Sequence, residues 1–283
     1  MKHNRSAFAL VELAMILVVV ILFALLIAPM MKQRWNVDGL SQSLENVRGL
    51  NMACAQYRAD HAGYIPMRGC GYSNGQITGG WDTWNFAGKN CSAFWASGAF
   101  DETAFSRFLN PYIAAPIPQP PGYVNTGSGA TWTFNDGTPP ANLRGKPEIK
   151  YCRSPGDIAT RQRTWPVATP GVSCYDDVGT SYHLNMLWWS QPGGPAGFTA
   201  KYNAGSEAIR RDRGAIGKRP ASNFVWISDQ IGTIAASSTG TTPGEFGGNN
   251  MSVLGFLDGR AQYVALVPGA MSGPGYTFGI TWP

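Results

Sequence analysis

Histidine is scarce in this chain of 283 residues, and its scarcity excludes much of the usual catalytic chemistry. The 3 histidines are His3, His61 and His183. They supply few residues for a histidine-based triad or a three-histidine metal site. No GxSxG, HExxH, P-loop or GxGxxG pattern occurs in the context of a strand followed by a helix. We therefore predict no catalytic residues and a protein that is not an enzyme.

Charged side chains are also few, at 14% of the residues against about 25% in typical soluble domains. The formal net charge is +5, but no single run of Lys and Arg dominates. One basic cluster comprises Arg210, Arg211, Arg213, Lys218 and Arg219. We interpret this cluster as a solvated loop, with a contact to an acidic polymer or a neighbouring subunit as the alternative. We expect no nucleic-acid partner.

The 5 cysteines lack the CxxC and CxxCH spacings of thiol-redox, zinc-ribbon and c-type haem proteins. An exported domain would permit disulfides. Pairing by closeness in sequence would join Cys70 to Cys91 and Cys152 to Cys174, leaving Cys54 single. Sequence alone does not fix the connectivity.

Glycine and tryptophan are plentiful, with 35 and 10 residues. The 20 prolines add to the glycines and predict that loops and turns dominate over long helices. Trp81, Trp84 and Trp95 lie in a polar, Gly-rich segment, as sugar-stacking residues often do. The reading we favour is that these rings fill the core of a domain poor in aliphatic residues.

The most prominent feature present is the apolar run FALVELAMILVVVILFALLIAPMM, residues 8–31. Glu12 is its only charged residue, and residues 13–31 are long enough to cross a bilayer as a helix. A carboxylate near one end of such a segment is costly and usually has a role. An ordinary secretory signal is the alternative, but its apolar region is typically shorter and is followed by the small residues of the cleavage site. Here the small residue, Ala7, precedes the run.

Beyond residue 36 the apolar spacing predicts that the helix continues in amphipathic form. The predicted buried stripe is Val37, Leu40, Leu44, Val47, Leu50, Cys54 and Tyr57, and the predicted exposed face is Ser41, Glu45, Arg48 and Gln56. Pro29 predicts a kink or local melting. Gly63 and Pro66 predict the end of the helix.

Ala7, Phe8, Glu12 and the apolar run behind them resemble the N-terminus of type IV pilins and type II secretion pseudopilins. In that family a peptidase cuts before the Phe, methylates the new amine and leaves Glu as the fifth residue. Counted from Phe8, Glu12 is the fifth residue and Pro29 the twenty-second, where many members carry proline. The family prefers Gly before the cut, where this chain has Ala7.

Two further stretches resemble the same family, and in particular its large, secretion-like members. Tyr57, Arg58, Asp60, Gly63 and Tyr64 match a Tyr-Arg-x-Asp run that is followed by Gly-x-Tyr-Pro, and residues 148–157 resemble a Cys-Pro-Ser-Asp element. The Asp258-Gly259 pair matches a C-terminal hairpin that in relatives carries two histidines. Gly248 and Arg260 occupy those two positions here, so this chain cannot repeat whatever the histidines do.

The resemblance implies an α+β fold of the pilin-like type, in which a long N-terminal helix packs on a loop-rich antiparallel β-sheet head. The expected parts are a leader at 1–7, a transmembrane and filament-core helix at 8–31, an amphipathic half at 32–62 and a head at 63–283. Strands are predicted at 181–186, 223–228, 251–257 and 260–267, with a turn at Asp258-Gly259 between the last two. We also predict a short helix at 103–109 and a strand and turn at 148–157.

The function that the resemblance implies is structural. The chain would be a subunit of a type IV pilus-like or type II secretion pseudopilus filament, processed between Ala7 and Phe8 and assembled through Phe8, Glu12 and Pro29. Its partners would be other copies of the chain, a prepilin peptidase, an assembly ATPase and an inner-membrane platform. It would lie in the inner membrane as a precursor and then in an extracytoplasmic or cell-surface filament. The alternative is a membrane- or tip-anchored adhesin that binds carbohydrate through its Trp residues.

No cofactor or metal is expected. Pseudopilins sometimes bind calcium in a C-terminal loop, and Asp229 and Asp258 are the carboxylates nearest the predicted sheet ends. No dense spacing of oxygen ligands surrounds them in the sequence. The neighbouring carboxylates Asp176-Asp177 and Asp101-Glu102 are more typical of solvated loops or helix starts than of an acid–base pair.

The N-terminal motif makes a prediction about the mature chain. If the leader is removed as the resemblance implies, intact-mass analysis of the purified protein will show a chain that begins at a methylated Phe8. A mature chain that still begins at Met1 would contradict the assignment of the motif.

Overall fold

A single helix, α1 (Asn4–Asp60), forms the first 57 described residues. The computed structural model describes residues 4–67, 72–73, 76–77, 83–96, 100–118, 141–211 and 223–282. α1 begins inside the predicted leader and continues through Pro29 without a break, so the local melting predicted there is not observed. Proline removes only one backbone donor, and the surrounding Leu, Ala and Met residues favour helix.

The remaining elements are short. The strands are β1 (Tyr72–Ser73), β2 (Gln76–Ile77), β3 (Ala159–Thr164), β4 (Val167–Pro170), β5 (Tyr182–Leu184), β6 (Val225–Asp229), β7 (Met251–Phe256), β8 (Ala261–Ala265), β9 (Ser272–Gly273) and β10 (Tyr276–Thr277). The helices are α2 (Asn110–Ile113), α3 (Cys174–Val178), α4 (Phe198–Arg211) and α5 (Gln230–Ser237). β5, β6, β7 and β8 form a four-stranded sheet in that order, and three two-stranded hairpins accompany it. All paired strands are antiparallel, so the α+β class is confirmed.

The predicted C-terminal hairpin is present. β7 pairs with β8 from Met251 opposite Ala265 to Gly255 opposite Ala261. In the turn Gly259 has a φ of +94°, a conformation that glycine adopts without a steric penalty. β5 lies within the predicted strand 181–186. β6 overlaps the predicted strand 223–228 and extends one residue beyond it.

Two local predictions were wrong. Residues 148–157 contain a 3₁₀ turn, Lys150–Cys152, in place of a strand. The Tyr175 hydroxyl accepts a hydrogen bond from the amide of Ile149, which is therefore not available to a strand partner. The predicted helix at 103–109 is a 3₁₀ turn, Ala104–Ser106, followed by α2. There Thr103 Oγ1 caps the start of the turn by accepting a hydrogen bond from the Ser106 amide, and the extended conformation of Arg107 ends it after one turn.

The C-terminal half of α1 packs on one face of the sheet, and α5 packs on the other. Alternate residues of β7 face the two sides, with Val253 in the core cluster below α1 and Leu254 and Phe256 in the second cluster. The predicted buried stripe of α1 is confirmed apart from Val37, which is 58% exposed. All four residues of the predicted exposed face are exposed.

Polar side chains also enter the buried face of α1. Ser43 hydrogen-bonds to the Tyr182 hydroxyl at 2.8 Å, and Asn46 Nδ2 donates to the Arg153 carbonyl at 2.7 Å. Asn51 Nδ2 donates to the Arg260 carbonyl in the β7–β8 turn at 2.8 Å, and its Oδ1 accepts from Trp226 Nε1 at 2.6 Å. These bonds connect the helix to three separate parts of the head.

The N-terminal half of α1 differs in its described residues. The side chains of residues 12–28 are all exposed, and this part of the helix is long and apolar enough to cross a membrane. Gly63 lies just beyond the C-terminal end with a φ of +88°, and its amide donates to the Arg58 carbonyl at 2.7 Å. The helix therefore ends where the sequence predicts.

Replacing Asn51 with Ala should destabilise the head by about 2–4 kcal/mol, because the buried Trp226 N–H and a turn carbonyl lose their partner. The measurement is urea unfolding of the full chain in detergent, followed by tryptophan fluorescence. Gln56→Ala on the exposed face of the same helix is the control and should change stability by less than about 0.5 kcal/mol. Equal effects of the two substitutions would show that Asn51 does not anchor the helix.

Candidate functional site

The first candidate site is the exposed apolar half of α1, residues 12–28, which we call the bare segment. It exposes 13 large apolar side chains between Leu13 and Ile27. At roughly 1.5 kcal/mol or more for each side chain removed from water, covering them is worth on the order of 20 kcal/mol. Such a surface does not remain in water, so the bare segment requires lipid or other protein chains as its environment.

Glu12 lies at the N-terminal end of the bare segment and is exposed. Ala7, Phe8 and Pro29 are all part of the α1 backbone, and their side chains lie outside the described part of the structure. The structure therefore places the predicted processing and assembly residues on one continuous helix.

The second candidate site is a pocket of about 400 Å³ in the head, which we call the aromatic pocket. It lies beside the edge strand β5, between the β3–β4 hairpin and α5. Its described walls are aromatic (Trp84, Trp95, Phe100, Trp165), polar (Thr83, Gln162, His183, Ser190, Thr233, Ser237) and aliphatic (Met186, Leu187). Small-molecule sites typically have volumes of roughly 300–1,000 Å³, so the aromatic pocket is large enough for a small ligand.

A buried carboxylate, Asp177 on α3, holds one wall of the aromatic pocket in place. Its oxygens accept hydrogen bonds from Trp95 Nε1 at 3.1 Å and Thr160 Oγ1 at 2.9 Å, and Arg163 forms an ion pair with it. Trp84 Nε1 donates to the Phe100 carbonyl at 3.3 Å. The polar atoms of both indoles are therefore used within the protein, and ring surface is what remains available to the pocket.

His183 lies between two partners at the wall of the pocket. Its Nδ1 is 2.7 Å from Thr83 Oγ1, and its Nε2 is 3.2 Å from Cys174 Sγ. Burial lowers the pKa of His183 from 6.5 to about 3 and raises the pKa of the Cys174 thiol well above its usual value. Both groups are therefore neutral at physiological pH, so this pair lacks the thiolate–imidazolium form of a nucleophilic cysteine.

The predicted Cys152–Cys174 disulfide is not formed. Cys54, Cys152 and Cys174 are buried free thiols, and Cys152 and Cys174 belong to different core clusters. Cys152 lies in the main core below α1, whereas Cys174 contacts His183. Cys70 of the predicted Cys70–Cys91 pair lies outside the described residues.

The three tryptophans considered for sugar stacking, Trp81, Trp84 and Trp95, differ in their placement. Trp81 lies outside the described residues. Trp84 and Trp95 meet in the aromatic pocket with ring centroids 5.3 Å apart, but Trp84 is only 4% exposed and mainly supports the wall. Sequence reasoning missed Trp165, which is 46% exposed at the β3–β4 turn. The available signal was a Trp-Pro pair that directly follows the polar run at residues 160–164.

The two carboxylates considered as calcium ligands, Asp229 and Asp258, have different hydrogen-bond partners and different exposure. Asp229 caps α5 through the amide of Gly232 and also accepts from Ser252 Oγ and the amide of Val253. Burial raises its pKa to about 6, although these donors partly offset the effect. Asp258 pairs with Arg260 in the exposed turn. Among the described residues, no group of three His, Cys, Asp or Glu side chains is placed to hold a metal ion.

The predicted basic cluster is only partly described. Arg210 and Arg211 end α4, and both form ion pairs with Glu207. Arg213, Lys218 and Arg219 lie outside the described residues. The two visible members of the cluster are therefore partly neutralised by a carboxylate of their own helix.

The depressed pKa of His183 predicts a pH dependence of stability. The unfolded chain binds a proton near pH 6.5 that the folded chain does not bind until about pH 3. The contribution of His183 is therefore complete above pH 6.5 and is lost as the pH falls below it. In the variant His183→Gln, the unfolding free energy should fall less steeply between about pH 6 and pH 4, by up to about 1.4 kcal/mol per pH unit.

Comparing the pH dependence of unfolding of the wild type with that of His183→Gln isolates the effect of His183. The buried acids change the stability in the opposite direction. Burial raises the pKa of both Asp157 and Asp229 to about 6, so their contribution decreases as the pH rises. Because these acids are present in both proteins, their contributions cancel in the difference between the two unfolding free energies. Urea unfolding at several pH values provides the measurement, and identical pH slopes would mean that His183 is not held neutral.

The described chain therefore offers two candidate binding surfaces, namely the bare segment of α1 and the aromatic pocket of the head. No family model matches the chain, and comparison with curated proteins and with solved structures gives no match.

Proposed function

We propose that the protein is a structural subunit of a pilin-like filament of the type IV pilus or type II secretion pseudopilus class, assembled through α1. The observation that carries this proposal is the division of one helix into a bare apolar half and a half anchored in the head. A signal sequence that is removed after export would not need to continue into the core of the folded domain.

The dimensions of the bare segment suit both a membrane and a filament core. Together with the apolar residues that follow it as far as residue 31, the bare segment measures roughly 30 Å in helical form at 1.5 Å per residue, which is close to the thickness of the hydrocarbon core of a bilayer. Lipid covers the segment before assembly, and the same segments of neighbouring copies cover it afterwards. The protein therefore begins in the inner membrane and ends in an extracytoplasmic or cell-surface filament.

Glu12 sets the axial position of one subunit against the next. A carboxylate surrounded by apolar helices is costly unless a positive group neutralises it. Cleavage between Ala7 and Phe8 creates such a group, the new amine of Phe8, about one helical turn away on each copy. The Phe8 amine of a neighbouring subunit is the partner in this proposal, because only one axial register brings it to Glu12.

The anchoring of α1 in the head supports the same function. Ser43, Asn46 and Asn51 hydrogen-bond to separate parts of the head, so the helix cannot slide or rotate against it without losing these bonds. A helix placed in register within a filament then places its head in register too. The further partners that this route requires are a prepilin peptidase, an assembly ATPase and an inner-membrane platform.

Substituting Glu12 with Ala should abolish filaments, or reduce their number at least tenfold, because the terminal amine of the neighbour loses its counter-charge. The measurement is the amount of the protein in sheared filaments, together with electron microscopy of the cell surface. Glu12→Gln is the matched variant, since it keeps the size and polarity of the side chain and removes only the charge.

Both variants should retain a folded head, which near-ultraviolet circular dichroism of the purified protein will show. If Glu12→Gln assembles as well as the wild type while Glu12→Ala does not, the ion pair is wrong and side-chain packing explains the defect. Normal filaments from both variants would refute an assembly role for Glu12.

A further inference from the structure

We propose that the aromatic pocket binds a neutral pyranose, so that the head carries a carbohydrate-binding site in addition to any role in assembly. The pocket unites residues from the Thr83–Phe100 region, the β3–β4 hairpin, β5 and α5. Its volume of about 400 Å³ lies within the range of small-molecule sites, roughly 300–1,000 Å³, and well above a packing defect.

The walls of the pocket indicate a ligand with one apolar face. Trp95 and Trp165 are the accessible indoles, with Trp165 46% exposed. A pyranose with equatorial hydroxyls presents a face of C–H groups that stacks on such a ring, while its hydroxyls point to the sides. Trp84 and Phe100 lie against Trp95 at centroid distances of 5.3 and 6.3 Å. The stacking surface is therefore supported from behind.

The ligand should also be uncharged. None of the described residues that line the pocket carries a charge, since His183 is the only titratable one and is neutral at physiological pH. A carboxylate or ammonium group in this environment would lose its hydration without gaining a counter-ion. This property separates a neutral sugar from a uronic acid or a sialic acid.

An unsatisfied donor in the wall gives the ligand a polar contact. Gln162 Nε2 is buried and has no hydrogen-bond partner in the part of the chain that the structure describes. Such a group costs about 1–3 kcal/mol when it stays unpaired, and an unsatisfied buried atom of this kind is uncommon in native proteins. A sugar hydroxyl or ring oxygen seated on Trp165 would accept this hydrogen bond. Ser190, Thr233 and Ser237 supply further hydroxyls around the pocket.

The side chains that line the pocket are preorganised by hydrogen bonds within the protein. Asp177 fixes Trp95 through the 3.1 Å hydrogen bond to Nε1, and Thr160 and Arg163 fix Asp177 in turn. Thr83 and Cys174 hold the His183 ring from both nitrogens. A rigid site loses little conformational entropy on binding, which matters for sugars because they offer few strong contacts.

The test is isothermal titration calorimetry of the full chain, purified in detergent, with the methyl β-glycosides of glucose, galactose and N-acetylglucosamine. We expect at least one of them to bind saturably with a dissociation constant of about 1 mM or lower. Trp165→Ala should weaken that binding at least tenfold, since the stacking face is lost. Gln162→Glu should weaken it several-fold, because the donor is replaced by a charged acceptor.

The matched control is Trp35→Ala, which removes an indole that is 70% exposed on α1, outside the pocket, and should leave the affinity unchanged. If Trp165→Ala fails to fold, Gln162→Glu decides the question. The proposal is overturned if no neutral glycoside binds at up to roughly 10 mM, if methyl β-glucuronide binds more tightly than the glucoside, or if Trp35→Ala weakens binding as much as Trp165→Ala. Binding is measured on the unassembled subunit, so the result does not depend on filament formation.

Discussion

The buried face of α1, between Ser43 and Tyr57, is the element on which the rest of the head depends. Val47 and Leu50 are fully buried there against the sheet, and Asn51 connects the helix to the β7–β8 turn and to Trp226. Apolar packing alone tolerates small displacements, whereas hydrogen bonds to fixed carbonyls lose strength steeply when their geometry changes. The combination holds one helix in one position relative to a head that otherwise consists of short elements and long loops.

This single helix lies in two different environments. Its C-terminal half is covered by its own head, and its N-terminal half is covered by nothing within the described chain. The covered half keeps the head folded and in place, whereas covering the bare half removes apolar surface from water. Since α1 is one continuous helix through Pro29, a displacement of one half moves the other. In the filament proposed above, this coupling would let the position of the bare segment set the position of the head.

Buried polar groups take the place of a large aliphatic core in the rest of the head. Arg107 is almost fully buried, and its guanidinium donates to the carbonyls of Trp84, Ala87 and Val178. Asp177 performs the corresponding role for side-chain donors around the aromatic pocket. Such networks require every member to be in place, because an unpaired buried charge is costly. They therefore give the loops that form the pocket a single arrangement without regular secondary structure.

The sequence by itself determined the long helix, its exposed and buried faces and the C-terminal hairpin, because these features follow from the spacing of residues close together in the chain. Tertiary structure decided which distant residues meet. The polar residues on the buried face of α1 are Ser43, Asn46 and Asn51. Hydrogen bonds to distant parts of the head stabilise them there, and the periodicity of the helix does not specify those partners. Likewise Cys152 and Cys174 belong to different core clusters, and Trp95 and Trp165 line the same pocket only because the β3–β4 hairpin folds against α3 and α5. Contacts of this kind depend on the packing of the whole domain, so no local pattern could have predicted the pocket.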